Sequence, residues 1–327
     1  MALTAPARLR VEDQSGVAPV RRAAEQMAAA IGFDEQRRGE VAIVATELAT
    51  NLLRHAGGGE VILRVTGGDA PSVDAIAVDR GPGIRDPGRA MEDGYSTFGG
   101  AGNGLGAIRR LSATMDIQTG AGGTVVAARV GGALTEAPTV DGIALAMEGE
   151  TASGDAWAQA RDGAMLTVLL ADGLGHGENA ATAANLALRE LRPGVDPAFL
   201  LERIHGALRV TRGAAAAIAR IDLTGGRVEY AGIGNIAGTI VEGPSSTKSL
   251  VSMPGILGHR LPKIRSFQYE LPPGGVLVMH SDGLKSTWEL SGHPGLLRRD
   301  PLVIASVMIR DFERGRDDVS VVAARRL

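Results

Sequence analysis

The sequence predicts a two-domain α/β protein, and three observations carry that prediction. The chain has 327 residues and is 44% hydrophobic, enough for two separate cores. Segments with helical periodicity alternate with short β-branched or alternating runs that read as strands. Gly131 to Thr139, G-G-A-L-T-E-A-P-T, breaks both periodicities, and the chemistry differs on its two sides. The expected organisation is a first domain over 1–131, a linker over 132–139 and a second domain over 140–327.

Composition narrows the class of partner. The formal net charge is −3, and no dense Lys/Arg run occurs, which argues against nucleic acid. There are no cysteines, so disulfides, thiolate metal sites and a cysteine nucleophile are excluded. The N-terminal M-A-L-T-A-P-A-R-L-R lacks the apolar core of a signal peptide, and no run approaches the roughly eighteen apolar residues of a membrane span. The expectation is a cytoplasmic protein without membrane segments.

In the first half, Pro19 to Ile31 reads as a helix that Gly32 ends, and Asp34 is placed to cap the next one. That second helix is expected over Glu35 to His55. Val41, Val44, Ala45, Leu48 and Leu52 form its apolar stripe, while Glu47, Asn51 and His55 recur every four residues on another face. Taken alone, such a face fits a solvated surface as well as a site. The oxygen of Asn51 suits Mg²⁺, and Glu47 one turn away suits a general base toward a hydroxyl.

Val73 to Val78 reads as a strand delivering Asp79, whose carboxylate can accept from an exocyclic amine; Gly81 and Gly83 then allow a sharp turn and close approach. Gly102, Gly104 and Gly106 precede Ala107 to Leu111, a predicted helix whose free N–H groups suit phosphates. No G-K-[ST] follows, so this is not a Walker loop, and no strand immediately precedes it. Each glycine cluster alone also fits an ordinary surface loop.

The order E-L-x-x-N-x-x-x-H-A, D-x-G-x-G-I, G-x-G-L-G resembles the GHKL ATPases, and Met91 to Leu111 resembles the RsbT-like serine kinases within them. The resemblance covers about residues 1–130. It implies a GHKL (Bergerat) α/β sandwich that binds ATP and Mg²⁺. It also implies Glu47 as catalytic base, Asn51 as Mg²⁺ ligand, Asp79 reading adenine, Gly81 and Gly83 shaping its pocket, and Gly102, Gly104 and Gly106 meeting phosphates. Thr124, in the predicted strand Gly123 to Val130, matches a threonine near the adenine.

In the second half, Asp155 follows Ser-Gly, Asp172-Gly173 closes the apolar strand Ala164 to Ala171, Asp282-Gly283 closes Gly275 to His280, and Arg316-Asp317-Asp318 precedes the strand Val319 to Ala323. Each position alone fits a turn. Their repetition at strand ends favours convergence on hard cations. The joint order S-G-D, A-D-G-L-G-H-G, G-I-G-N-I, H-S-D-G-L, G-R-D-D-V-S-V-V resembles the SpoIIE/RsbX branch of metal-dependent type 2C phosphatases. That resemblance implies an αββα sandwich and two Mn²⁺ or Mg²⁺ ions. Asp155, Asp172 and the Gly173 carbonyl would lie at the bridge and Asp282 and Asp317 on one ion, with Asp318 adjacent and able to substitute or assist. Asp155 and Asp172 are accordingly the catalytic positions, whereas His176 is not assigned a general-acid role.

Together the resemblances imply an ATP-dependent Ser/Thr kinase joined to a phosphoserine/phosphothreonine phosphatase. Its partners would be STAS-domain anti-anti-sigma or stressosome-type proteins in a partner-switching circuit, with a downstream phosphatase or sigma factor beyond them. The alternative is a first half that only binds ATP and a partner, as an anti-sigma module, beside a phosphatase that is the sole enzyme.

Overall fold

The computed structural model describes residues 5–67, 70–91, 104–132, 139–243, 245–259 and 263–326. The chain divides into two compact units, Met1–Pro138 and Thr139–Leu327.

The first unit runs β1 (Ala7–Val11), α1 (Val17–Ala30), α2 (Glu35–Asn51), β2 (Gly59–Thr66), β3 (Ser72–Val78), α3 (Pro87–Ala90), α4 (Gly104–Leu111), β4 (Thr114–Gly120) and β5 (Gly123–Gly131). Its sheet has the order β1-β2-β3-β5-β4, every pair antiparallel. Alternation decides which side chains meet the helices. Val61, Leu63 and Val65, Val73, Ala75 and Ala77, and Val126, Ala128 and Val130 pack with Val20, Ala24 and Met27 of α1 and Val41, Val44 and Leu48 of α2. On the opposite face Asp74 is fully buried between two guanidinium groups, with Arg64 Nη2 at 2.7 Å and Arg129 Nη2 at 2.8 Å.

Asp34 caps α2 as expected, its carboxylate accepting from Arg37 N–H at 2.8 Å. The helix stops earlier than its periodicity predicts. The α-helix ends at Asn51, and Leu52–Ala56 forms a π-helical turn closed by Gly57 in the left-handed conformation, φ 75°. A π turn is wider than an α turn, so His55 leaves the four-residue row on which Glu47 and Asn51 sit.

The second unit runs β6 (Val140–Leu145), β7 (Asp155–Asp162), β8 (Met165–Gly173), α5 (Glu178–Leu188), α6 (Pro197–Ala207), β9 (Ala214–Asp222), β10 (Arg227–Ile233), β11 (Ala237–Gly243), β12 (Ser246–Ser249), β13 (Phe267–Glu270), β14 (Val276–His280), α7 (Pro301–Phe312) and β15 (Val319–Arg325). Two antiparallel sheets form, with orders β13-β10-β9-β8-β7 and β12-β11-β14-β15-β6. Between them lie Leu166, Val168, Leu170, Tyr230, Ile240, Leu277, Met279 and Val322. The outer face of the first sheet, with Leu169, Ala171, Ala216 and Ile218, is covered by Ala183, Ala184 and Ala187 of α5 and Leu200, Leu201 and Ile204 of α6. Helix α7 packs on β15 and β6, and Pro301 through Arg310 are all buried. The layers are therefore helix, sheet, sheet, helix.

Among the described residues no helix is long and apolar enough to cross a membrane.

Candidate functional site

In the first unit, β3 carries Asp79 to its end, where the carboxylate is fixed by backbone donors. Asp79 Oδ1 accepts from Gly81 N–H at 2.8 Å and from Thr124 N–H at 3.0 Å, and Asp79 N–H donates to Thr124 O at 2.9 Å. No hydrogen bond engages Oδ2 among the described residues. The hydroxyl of Thr124 lies 2.9 Å from that of Thr119, and Thr119 Oγ1 accepts from Ile84 N–H at 2.7 Å. Gly83 has φ 77°, and a β-carbon there would collide with the Gly120 carbonyl, so the D-x-G-x-G segment lies against the β4–β5 hairpin as no other residue could.

Glu47 and Asn51, one helical turn apart, meet the start of α4. A β-carbon on Gly104 would stand 3.2 Å from Asn51 Oδ1 and 3.5 Å from Glu47 Oε2. Gly106 is buried in the same helix. A carboxylate, an amide oxygen and a helix start thus share one corner. Glu92 to Asn103 of the segment that carries the RsbT resemblance, Gly102 included, lie outside the described residues. His55 has its pKa lowered by burial and by Arg54, opposed by Asp79.

The second unit brings the four strand-end carboxylates together. Antiparallel pairing of β7 with β8 sets Asp155 directly opposite Asp172. Asn235, in the turn between β10 and β11, donates its amide to Asp282 Oδ2 at 2.8 Å and lies 3.4 Å from Asp172 Oδ2. Asp155 is pushed up to about 7 by burial, with Asp318 and Asp282 adding to the shift and the Ser281 and Ser320 hydroxyls tempering it. Its Oδ2 nonetheless lacks a donor in hydrogen-bond geometry among the described residues. Asp172 is pushed up to about 8 by burial first and then by Asp155, Asp282 and Asp317, and Asp317 is raised by burial with Asp282 and Asp318 contributing. Burial and mutual repulsion together mark these carboxylates as gathered in one place.

Of the two glycines that follow these aspartates, Gly173 ends β8, whereas Gly283 lies in a turn that Leu284 N–H closes on Ser281 O at 3.3 Å. A β-carbon on Gly173 would strike the Ala180 carbonyl, and one on Gly283 the Asp318 carbonyl. The Asp-Gly pairs are therefore read through close backbone packing.

The neighbours Asp317 and Asp318 diverge. Asp318 is 3% exposed and spans two loops, Oδ1 accepting from Met147 N–H at 2.7 Å and Oδ2 from Gly154 N–H at 2.6 Å. Asp317 is exposed and lines an open cleft with Asp282. His176 Nδ1 pairs with Glu150 Oε1 at 2.7 Å. The G-I-G-N-I motif by itself assigns Asn235 no role; the signal it carries is an amide in a glycine-flanked turn between two core strands.

No three His, Asp or Glu side chains stand in the arrangement of a ready-formed ion site among the described residues. The chemistry of the donor set nevertheless fits a hard divalent cation: oxygen-only side chains, an orphaned buried Asp155 oxygen, and repulsion among Asp155, Asp172, Asp282 and Asp317.

Fold and clusters define a histidine kinase-like ATPase domain joined to a type 2C phosphatase domain. The comparisons agree on both halves. Residues 11–130 match the histidine kinase-like ATPase domain, and residues 162–327 match the stage II sporulation protein E (SpoIIE) family, a span that begins after Asp155. Over 115 residues the chain is 33% identical to the serine/threonine-protein kinase RsbT of Bacillus subtilis (strain 168), covering 35% of this chain and 86% of that protein. Over 141 residues it is 31% identical to the phosphoserine phosphatase RsbX of the same organism, covering 42% of this chain and 70% of that protein. A solved chain from a bacterial stressosome, described as a modular system adapted to control secondary messenger signaling, is 31% identical with a TM-score of 0.50, covering 57% of this chain and 98% of its own. The chain belongs to the SpoIIE family through its second domain and to the RsbT-like branch of the histidine kinase-like ATPases through its first.

Proposed function

We propose that this protein both adds and removes phosphate on Ser or Thr of STAS-domain partners in a cytoplasmic partner-switching circuit. The observation that carries the reading is the gathering of Asp155, Asp172, Asp282 and Asp317 at four strand ends, in a chain that also sets Glu47 and Asn51 against the start of α4.

In the second domain Asp155, Asp172, the Gly173 carbonyl, Asp282 and Asp317 would hold two Mn²⁺ or Mg²⁺ ions. Bound there, such ions polarise phosphoryl oxygens and acidify water. The chain's own residues supply the frame. Asn235 holds Asp172 and Asp282 at a fixed separation, and the Asp318 clamp on Met147 and Gly154 fixes the loop from which Asp155 emerges. The exposure of Asp317 and the engagement of both Asp318 oxygens favour Asp317 as the ligand.

In the first domain ATP would lie with its adenine amine on Asp79, whose Oδ1 is already committed to backbone donors and whose Oδ2 remains for the base. Thr124 and the Gly81–Gly83 turn would border that base, and Gly102, Gly104 and Gly106 would face the phosphates with Mg²⁺ on Asn51. Glu47 would accept the proton of the attacking hydroxyl. Preorganised charge around the transferred group contributes most of the rate in such reactions.

The test is incubation with ATP, Mg²⁺, Mn²⁺ and candidate STAS proteins from the same genome, followed by intact-mass spectrometry over time. A transient gain of one phosphate supports both activities. Loss from a pre-phosphorylated partner without any gain supports the phosphatase alone, with the first half as an ATP-binding module.

A further inference from the structure

Beside the acidic cluster lies an open cleft lined by Asp282, Lys285, Glu313, Arg314, Arg316 and Asp317. Local backbone pairing shapes it. Lys285 N–H donates to Phe312 O, Arg314 N–H donates to Gly283 O, both at 2.9 Å, and Leu284 bridges Glu313. The segment after Asp282 is thereby tied to the segment before Asp317, and Lys285, Arg314 and Arg316 are all brought to the cleft.

These three side chains are exposed, and among the described residues none is hydrogen-bonded or ion-paired to a carboxylate. Elsewhere in this domain exposed Arg203 pairs with Glu190 at 2.7 Å, and half-buried Arg220 pairs with Glu229. If Asp282 and Asp317 are engaged by cations, the remaining charge of the cleft is that of Lys285, Arg314 and Arg316 against Glu313 alone. A net positive wall would then run from the reacting centre outward, a surface that attracts negative charge and steers its approach.

We propose that this cleft is a substrate subsite that binds the acidic flank of a phosphorylated protein segment. Lys285, Arg314 and Arg316 would contact Asp or Glu side chains next to the phosphorylated residue as it enters. The inference rests on the phosphatase reading of the second domain and adds the chemistry by which that site selects its substrates. These residues bind and position; none is assigned to the chemical step.

The experiment uses the full chain and two fluorescein-labelled peptides carrying a non-hydrolysable phosphonate analogue of phosphoserine, one flanked by Asp and Glu, the other by Asn and Gln. Fluorescence anisotropy with Mg²⁺ present measures Kd for each over a range of salt. The wild type should bind the acidic peptide about tenfold more tightly, with an advantage that shrinks as salt rises. The triple variant Lys285→Gln, Arg314→Gln, Arg316→Gln should lose that advantage while the neutral-flank Kd moves less than about threefold. Lys285→Glu alone should reverse part of the preference, which separates a charge effect from unfolding, and the melting temperature of each variant checks the fold. A wild type that binds both peptides equally, or a variant that keeps the preference, overturns the proposal. Phosphate release from the matching phosphoserine peptides is measured separately. Preferential binding without release keeps the subsite and sinks the phosphatase reading, whereas release without preference does the reverse.

Discussion

Asp155 and Asp172 face each other across the β7–β8 pair as directly registered residues, one opening its strand and the other near the end of its own. Both carboxyls are pushed up, to about 7 and about 8, chiefly by burial and then by other carboxylates. A folded-state pKa above the unfolded value gives stability that is complete below the unfolded pKa and is lost as pH rises through the folded one. The metal-free protein should therefore lose thermal stability as pH rises from about 4 to about 8, and Mn²⁺ or Mg²⁺ should restore it at the alkaline end with release of protons. Differential scanning fluorimetry and a pH indicator read both effects. Asp172→Asn should abolish the metal-dependent shift and the Mn²⁺-dependent release of phosphate; an undiminished shift would place the ions elsewhere.

Asp317→Asn and Asp318→Asn should separate by what they damage. Asp318 accepts two backbone N–H groups, and an asparagine presents one oxygen and one donor to them. Its replacement should cost about 1–3 kcal/mol in urea unfolding. Replacing exposed Asp317 should leave unfolding within about 0.5 kcal/mol and weaken Mn²⁺ affinity, measured by calorimetry. The opposite pattern would exchange the two roles.

Glu47→Ala should abolish phosphorylation of a cognate STAS protein while fluorescent nucleotide binding persists, since Glu47 approaches the start of α4 beside Asn51 rather than Asp79. Loss of nucleotide binding would make the residue structural.

Asp74 makes the first domain acid-sensitive. Burial alone would raise its pKa, but Arg64 and Arg129 together hold it below the ordinary carboxylate value. The sign is opposite to that of Asp155: the stabilisation is present above the unfolded pKa and is lost as pH falls through the folded one. Unfolding followed by circular dichroism should show the first domain weakening below about pH 4. Asp74→Asn should cost about 3–5 kcal/mol at neutral pH by removing the buried negative charge that Arg64 and Arg129 share.

Much of the fold was legible because local signals agreed with it. The Asp34 cap, the α2 stripe and the β3 and β8 strands stand where periodicity puts them. Periodicity extends α2 to His55 because the apolar and polar rows run on through Leu52 and His55, while the π turn is set by where the chain must turn back at Gly57. The Ala-rich start of β9, Ala214 to Ala217, has the composition of a helix, yet it is a central strand whose small side chains let α6 and the second sheet pack close on either face.

The same division runs through the sites. Residue types and their order determined the chemistry on offer: strand-end carboxylates for hard cations, and a glutamate and an asparagine one turn apart for nucleotide work. Which of two adjacent aspartates faces the cleft, that Asn235 ties Asp172 to Asp282, and that Lys285 and Arg314 share a wall with Asp317 were decided by tertiary structure alone. The physical reason is that a carboxylate's role depends on which donors reach it, and those donors come from strands and loops that lie far apart in the chain and meet only when the sheets pair.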